Sequence, residues 1–267
     1  MNVNLVQPKT YFIGETSINK QEIINYLTDT DQLEFLEEIE EAEKEGLNMG
    51  EILCSFYAKA CYASLTNKKN KNISKTRSIF DNLLGTIDSG HGSVLEHCNL
   101  NFMVTNCSRV FTHELVRHRV GTAFSQTSGR YVRSDVLNLV IDPILTPIIE
   151  DGSIEEIRLF IQEWYIKSVE KLKLNEETNF NKKKKLTSAL RRLMPNGQSN
   201  EIGFSCNLRT LRQTVEARTS RHAEWEIRLI YGQIYDLVKD KYPAIFADSV
   251  VKEVEGLREI TFKNKKI

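Results

Sequence analysis

Arg117 to Tyr131 reads RHRVGTAFSQTSGRY, and the rest of the chain is interpreted outward from it. Arg117, His118 and Arg119 stand in a row at the predicted end of a helix. A loop of small and hydroxyl residues follows from Gly121 to Ser128, and Gly129, Arg130 and Tyr131 lead into a predicted strand. Such a loop, with arginine at both ends, suits a phosphorylated ligand. Guanidinium groups supply charge and forked donors, while Ser, Thr, Gln and open backbone N–H groups supply directional bonds.

Composition narrows the classes. Of 267 residues, 40% are hydrophobic and 27% charged, an ordinary globular balance that supports a real core. Lys and Arg total 36 and Asp and Glu 36, so any anion site is a local cluster and no bulk field favours nucleic acid or an anionic membrane. The five cysteines, Cys54, Cys61, Cys98, Cys107 and Cys206, are widely spaced and form no C-x-x-C pair. That argues against a disulfide framework or a zinc knuckle and for a reducing compartment. There is no basic stretch followed by a long apolar run at the start, and no membrane-length apolar segment; a soluble, cytoplasmic protein is expected.

Periodicity then places the elements. A short strand is predicted at Tyr11–Ile13, with helices at 21–27, 31–45 (ended by Gly46), 49–63 and 76–89. The two lysine runs, Lys68–Lys75 and Lys182–Lys185, are predicted as solvated loops. Leu100, Phe102 and Val104 alternate with polar residues, which predicts a strand over 99–105. Ser108 is a good N-cap for a helix over 109–119, whose C-terminal end favours Arg117 and Arg119 through the helix dipole. Further on, a strand is predicted over 131–141, then a helix over 153–174 with Ile157, Phe160, Ile161, Trp164 and Val169 facing inward. A helix from Leu186 to Pro195, a strand over 201–206 and a helix over 222–240 complete the reading. Strands and helices without regular βαβ alternation give an α+β class with a mixed sheet and long helices. His91 and His97 flank a glutamate but lie six apart across a glycine, not at the i, i+4 spacing of a helical zinc site, so no metal is expected.

Four motifs in order give the chain a resemblance. The Arg117–Tyr131 stretch resembles the signature loop of flavin-dependent thymidylate synthases, in which RHR is followed by a spacer and a Ser-x-Arg-Tyr element; here the spacer is eight residues long, Val120 to Thr127, where that family usually has seven. His91 to His97, with Ser93 and Glu96, resembles the family's second motif. Leu190 to Pro195 resembles its Arg-x-x-x-Pro element, and Asn207 to Arg228 resembles its long C-terminal motif through Asn207, Arg209, Gln213, Arg218 and His222. Two departures are Glu114 and Glu224, each where the family often has Gln.

The resemblance implies one flavin-dependent thymidylate synthase domain over 1–267, with the motif-bearing core at about 76–245 and an N-terminal extension over 1–75. It implies FAD as cofactor, NADPH and methylenetetrahydrofolate as co-substrates, dUMP as substrate and a homotetramer with sites at subunit interfaces. Ser93, Arg117, His118, Arg119, Gln126, Asn207, Arg209 and Gln213 are implied to hold the flavin. Glu114, Arg117, Gln126, Ser128, Gly129, Arg130, Arg191 and Arg218 are implied to contact dUMP, with Arg130 and Arg191 near its phosphate. Arg218 is the implied catalytic residue, at the uracil edge. No cysteine has an evident activating base, so Cys206 is expected to be structural. Two alternatives stay open at this point: a sibling that transfers a hydroxymethyl group or acts on dCMP, and a non-catalytic nucleic-acid binder. Zero net charge and scattered aromatics argue against the second.

Overall fold

Short polar side chains set where most helices begin. In the computed structural model, which describes residues 5–73 and 75–265, strand β1 (Lys9–Glu15) leads to helices α1 (Lys20–Asp29), α2 (Phe35–Lys44), α3 (Met49–Cys61) and α4 (Ile79–Asp88). A 3-10 turn (Gly92–His97) precedes β2 (Asn99–Ser108), α5 (Arg109–Leu115) and β3 (Thr122–Gln126). Then come α6 (Thr146–Glu150), α7 (Ser153–Lys171) and α8 (Phe180–Leu190). The chain closes with β4 (Ser199–Asn207), α9 (Leu208–Thr219), α10 (Trp225–Val238), β5 (Ser249–Val254) and β6 (Leu257–Phe262). Asn19, Asn48, Ser78, Ser108, Asn179 and Asn207 each accept a backbone N–H from the first turn they precede. Each such bond satisfies a donor that the helix itself leaves without a partner.

The four-stranded sheet has the order β1-β2-β4-β3. Bonds at both ends of each pairing show antiparallel register. Thr16 N–H donates to Asn99 O, while Thr105 Oγ1 donates to Lys9 O. Leu208 N–H donates to Cys98 O, and Cys107 Sγ lies against Asn200 O. Asn207 N–H donates to Gly121 O, and Thr127 N–H to Glu201 O. A parallel bridge joins Leu5 to Leu139. The class is α+β, as expected.

The chain divides into two compact units, each of three segments. The first takes the chain through Thr10, Met103–Arg117 and Phe124–Gly203; the second takes Tyr11–Phe102, His118–Ala123 and Phe204 onward. In the first, Tyr165, Val169, Leu174 and Leu190 form a small core with Trp164, Leu186 and Met194 around it. In the second, α9 packs on α10 and α3 on α4, and Ile52, Leu83, Leu211, Val215, Ile230 and Ile234 are fully buried. The hairpin β5–β6 pairs Ser249 with Phe262 through to Val254 with Leu257 and turns at Glu255 and Gly256. Both turn residues have positive φ, 58° and 73°, the conformation that matches strand twist in a two-residue turn. Arg212 of α9 is buried; its Nη1 and Nη2 donate to the two Asp248 oxygens at 2.8 and 3.1 Å, and its guanidinium stacks 4.1 Å from the Phe262 ring.

Four local expectations are corrected. No strand forms over 131–141: Val132 N–H bonds back to Ser128 O and Leu137 N–H to the Gln162 side chain, and pairing is reduced to isolated bridges at Leu139, beside which Val140 N–H donates to Gly197 O. A strand forms instead inside the signature loop, where β3 pairs with β4. The helix α5 ends at Leu115, short of Arg119: Arg117 N–H turns to Glu114 O, three residues back, which closes the last turn more tightly than an α-helix does. The Lys182–Lys185 run lies within α8 and not in a loop; Asn179 supplies the cap that starts it. The buried stripe of α7 is Arg158, Tyr165 and Val169, while Ile157 and Phe160 are 60% and 73% exposed. Arg158 is buried because Glu155, Leu137 O and Gln162 take its donors.

Candidate functional site

In the first unit, the residues around the signature loop line a cleft of about 460 Å³. Its wall includes Arg109, Arg133, Arg191 and Arg192, with Thr127, Gly129, Ser199 and Glu201. Thr127 N–H is held by Glu201 O, and Tyr131 and Val132 N–H both bond to Ser128 O, so the chain folds back directly after β3. That turn brings Gly129 against Arg191: a Cβ at Gly129 would lie 3.5 Å from Arg191 Cδ. Two segments more than sixty residues apart in sequence therefore meet. Arg130 is exposed beside them, and Ser128 Oγ accepts Arg130 N–H at 3.4 Å. Gln126 is anchored from below, its Nε2 donating to Thr112 Oγ1 at 3.1 Å. Glu114 and Arg117 lie at the end of α5, where Arg117 N–H donates to Glu114 O. Arg133 is held by Asp135 through Nε and Nη2 at 2.8–3.1 Å, which leaves the exposed Arg191 and Arg192 as the more adaptable charges.

In the second unit, the turn after RHR docks on the start of α9. Asn207 caps α9 through Oδ1 to Thr210 N–H at 2.8 Å, and Thr210 Oγ1 donates to Val120 O at 3.0 Å. Gly121 has φ +65°, and a Cβ there would sit 2.3 Å from Asn207 Nδ2, so only glycine fits both the conformation and the space. This seating brings His118 to Arg218: Arg218 Nε donates to His118 Nε2 at 2.6 Å. Partial burial, and after it the Arg218 charge, lower the His118 pKa below the ordinary histidine value. The imidazole is accordingly neutral, with its own proton on Nδ1.

A second cleft, of about 390 Å³, is lined by Ser93, Gly90, His91, Gly92, Tyr62 and Arg209. Arg209 Nη1 donates to Glu96 at 2.5 Å, which ties α9 to the 3-10 turn and aims a half-exposed guanidinium beside Ser93. His97 stacks on Tyr57 at 3.9 Å and His91 Nδ1 bonds Tyr62 OH at 2.9 Å, so the two histidines hold the turn in place. Gln213 is exposed on α9, Arg119 is exposed after the RHR turn, and His222 is exposed between α9 and α10. Among the described residues no group of His, Cys, Asp or Glu is arranged to hold a metal.

Comparison with known proteins gives the family. The family described as thymidylate synthase complementing protein matches residues 46–244. A flavin-dependent thymidylate synthase of Mycobacterium marinum is 33% identical over 218 residues, covering 79% of this chain and 84% of that protein. Another, from Mycobacterium avium, is 32% identical over 206 residues, 74% of this chain and 79% of the relative. A third, from Corynebacterium diphtheriae, is 30% identical over 203 residues, 74% and 78% respectively. The chain belongs to the flavin-dependent thymidylate synthase family.

Membership sharpens the meaning of the cysteines. Cys206 is buried on β4, and burial pushes its thiol up to about 12; burial likewise raises Cys98 to about 12. Neither is a thiolate near neutral pH. Glu224, the departure from the family's Gln, is the N-cap of α10, its carboxylate accepting Glu226 and Ile227 N–H. A carboxylate at that end suits the helix dipole. The residues the sequence reading missed are Arg109 and Arg133 in the first cleft and Thr210 behind the RHR turn. Arg109 and Arg133 gave a signal only as positive charges near the motifs, and nothing local says which arginine turns inward.

Proposed function

We propose that the chain converts dUMP to dTMP, with methylenetetrahydrofolate as carbon donor, NADPH as reductant and FAD as cofactor. The observation that carries this reading is the arginine-lined cleft in which the Gly129 turn meets Arg191. Its volume suits a single nucleotide, and its charge suits a phosphate, which Arg binds bidentately.

The donor set of the second cleft fits a flavin nucleotide: a serine hydroxyl, glycine backbone and an arginine preset by Glu96. Ser93, Arg209, Asn207, Gln213 and the RHR residues Arg117, His118 and Arg119, with Gln126, are the proposed flavin ligands. Bound flavin supplies the hydride chemistry that the side chains lack. The protein's own work is positioning and charge. Gln126, Ser128, Gly129, Arg130 and Arg191, with Glu114 and Arg117, are proposed to orient dUMP. Arg218 is proposed to face the pyrimidine, where its positive charge stabilises negative charge that develops on activation. The bond to neutral His118 fixes the plane of that guanidinium before the reaction, so no reorganisation is needed during it. A thiolate attack has no support, since the buried thiols hold their protons.

The test is an anaerobic assay for dTMP with FAD, NADPH, dUMP and methylenetetrahydrofolate, run beside dCMP. Formation of dTMP from dUMP is expected. Product from dCMP alone, or a hydroxymethylated product, assigns the chain to a sibling reaction.

A further inference from the structure

The four lysines of α8 are unexplained by the folding of that helix. Asn179 caps α8, and the first turn carries no acidic residue, while Lys182 to Lys185 follow one another directly. Positive charge at a helix N-terminus opposes the macrodipole, and Lys182 and Lys185 are like charges at i, i+3. Glu177 pairs with Lys182 at 2.6 Å, which offsets one of the four. In a chain of zero net charge, this concentration of like charge opposes the helix dipole and is only partly offset by the Glu177 pair.

The lysines flank an aromatic pair that is left in water. Tyr131 stacks on Phe180, ring centroids 6.1 Å apart and planes at 21°, although the two side chains are 55% and 64% exposed. Lys184 Nζ lies 4.7 Å over the Tyr131 ring. The same helix face continues into the arginine cleft. Lys184 and Arg191 are seven residues apart, which puts them on one face and about 10 Å from each other along the axis. Lys185 and Arg192 repeat that relation one position over. The loop runs along this face, with Gly129 against Arg191 and Tyr131 against Phe180 and Lys184. A cationic track with an aromatic station on it thus leads out of the cleft.

We propose that this track binds the tail of the folate co-substrate, an aromatic p-aminobenzoyl ring that carries a chain of γ-linked glutamates. The ring stacks on Tyr131 and Phe180, and the successive carboxylates pair with Lys184, Lys185 and Lys183. The match is one of chemistry: a ring with several anions, against an aromatic pair with several cations beside it. This rests on the reading that the chain uses a folate, and it adds that the tail length matters.

Two measurements on the full-length holoenzyme decide it. Calorimetric titration with p-aminobenzoylpentaglutamate should show binding that weakens with added salt. In Lys184→Ala/Lys185→Ala it should weaken by about 3- to 10-fold, the range for two exposed ion pairs. Tyr131→Ala should weaken the same ligand but leave ring-free pentaglutamate unaffected. In turnover, pentaglutamyl methylenetetrahydrofolate should have a lower KM than the monoglutamyl form, and the double variant should erase the difference. Lys185→Gln, which leaves Lys184 on Tyr131, should give a smaller loss in the same direction and guards against misfolding of the double variant. Formation of dTMP with equal KM for both folates, together with no tail binding, overturns the track and leaves the function standing. Tail binding that depends on the lysines, without any dTMP, overturns the function and leaves the track. An RNA oligonucleotide that binds these lysines more tightly than the tail also overturns the proposal.

Discussion

Arg191 and Arg218 carry the same charge in different surroundings, and the roles proposed for them differ accordingly. Arg191 is exposed at the mouth of a cleft and touches the Gly129 turn, whereas Arg218 is held by His118. A contact made equally before and during reaction affects KM, and one made only to developing charge affects kcat. Arg191→Ala should therefore raise the dUMP KM more than it lowers kcat. Arg218→Ala should lower kcat by about 10- to 100-fold, the scale of one charge-assisted hydrogen bond. Single-turnover flavin reoxidation and dUMP affinity would be measured in both; equal losses of affinity with unchanged chemistry would defeat the separation. The same contact makes a second expectation. Removing the Arg218 charge favours protonation of its neighbour, so the His118 pKa followed by NMR should rise in Arg218→Ala. No change there would mean that burial alone lowers it. For the cysteines, Cys206→Ser should retain turnover in folded protein, because its thiol is protonated at working pH. Abolished chemistry with intact dUMP binding would reinstate a thiolate.

At the level of elements, helices with a cap residue and an apolar stripe were legible: α1, α3, α4 and α5 begin within a few residues of their expected starts. What local sequence does not contain is the partner that takes a backbone bond. The segment over 131–141 has the composition of a strand, yet its donors find Ser128 O and the Gln162 side chain. In the same way α5 stops early, its Arg117 N–H turned to Glu114 O, and the next residues are held through Val120 O and Gly121 O by Thr210 Oγ1 and Asn207 N–H. The hairpin β5–β6 was missed because Val250, Val251, Val254, Leu257 and Ile260 do not fall at period two, and Gly256 alone marks its turn. Gly121 tests the docked turn. Gly121→Ala meets both a positive φ and the Asn207 side chain, so it should cost about 1–3 kcal/mol, read as a lowered denaturation midpoint. A neutral effect would show that the turn is free to move off α9. The start of α3 holds a pH dependence. Glu51 is buried and accepts N–H bonds from Asn48, Ala244 and Ile245, yet burial outweighs them and raises its pKa to about 7. Because the folded value lies above the ordinary 4.5, folding favours the proton. The contribution is whole below the unfolded pKa and is lost as pH rises through about 7, amounting to about 3 kcal/mol. Denaturant midpoints should fall between about pH 5 and pH 8, and Glu51→Gln should remove most of that slope; the same slope in both proteins would assign it elsewhere.

For the whole molecule, the order of the four motifs carried more than any one of them. They come from both compact units, and within each unit they gather around a cleft: Gly129 with Arg191, and Ser93 with Arg209. The N-terminal residues before 46 lie outside the family match, and their helices were legible while their purpose was not. The apolar side chains of α6 and α7 that face water, Ile148, Ile157 and Phe160 among them, are candidates for a subunit contact in the homotetramer that the resemblance implies. Phe160→Glu should then yield a smaller species by light scattering and a lower melting temperature; an unchanged mass would place any subunit contact on another surface. The family match ends at 244, and beyond it lies Asp248, the partner of buried Arg212 on the helix that also carries Arg209 and Arg218. An unpaired buried charge costs about 3–5 kcal/mol, so in descent neither residue drifts alone. Arg212 and Asp248 must be inherited or exchanged together, and a graft of the shared region onto another C-terminus has to bring its own acid.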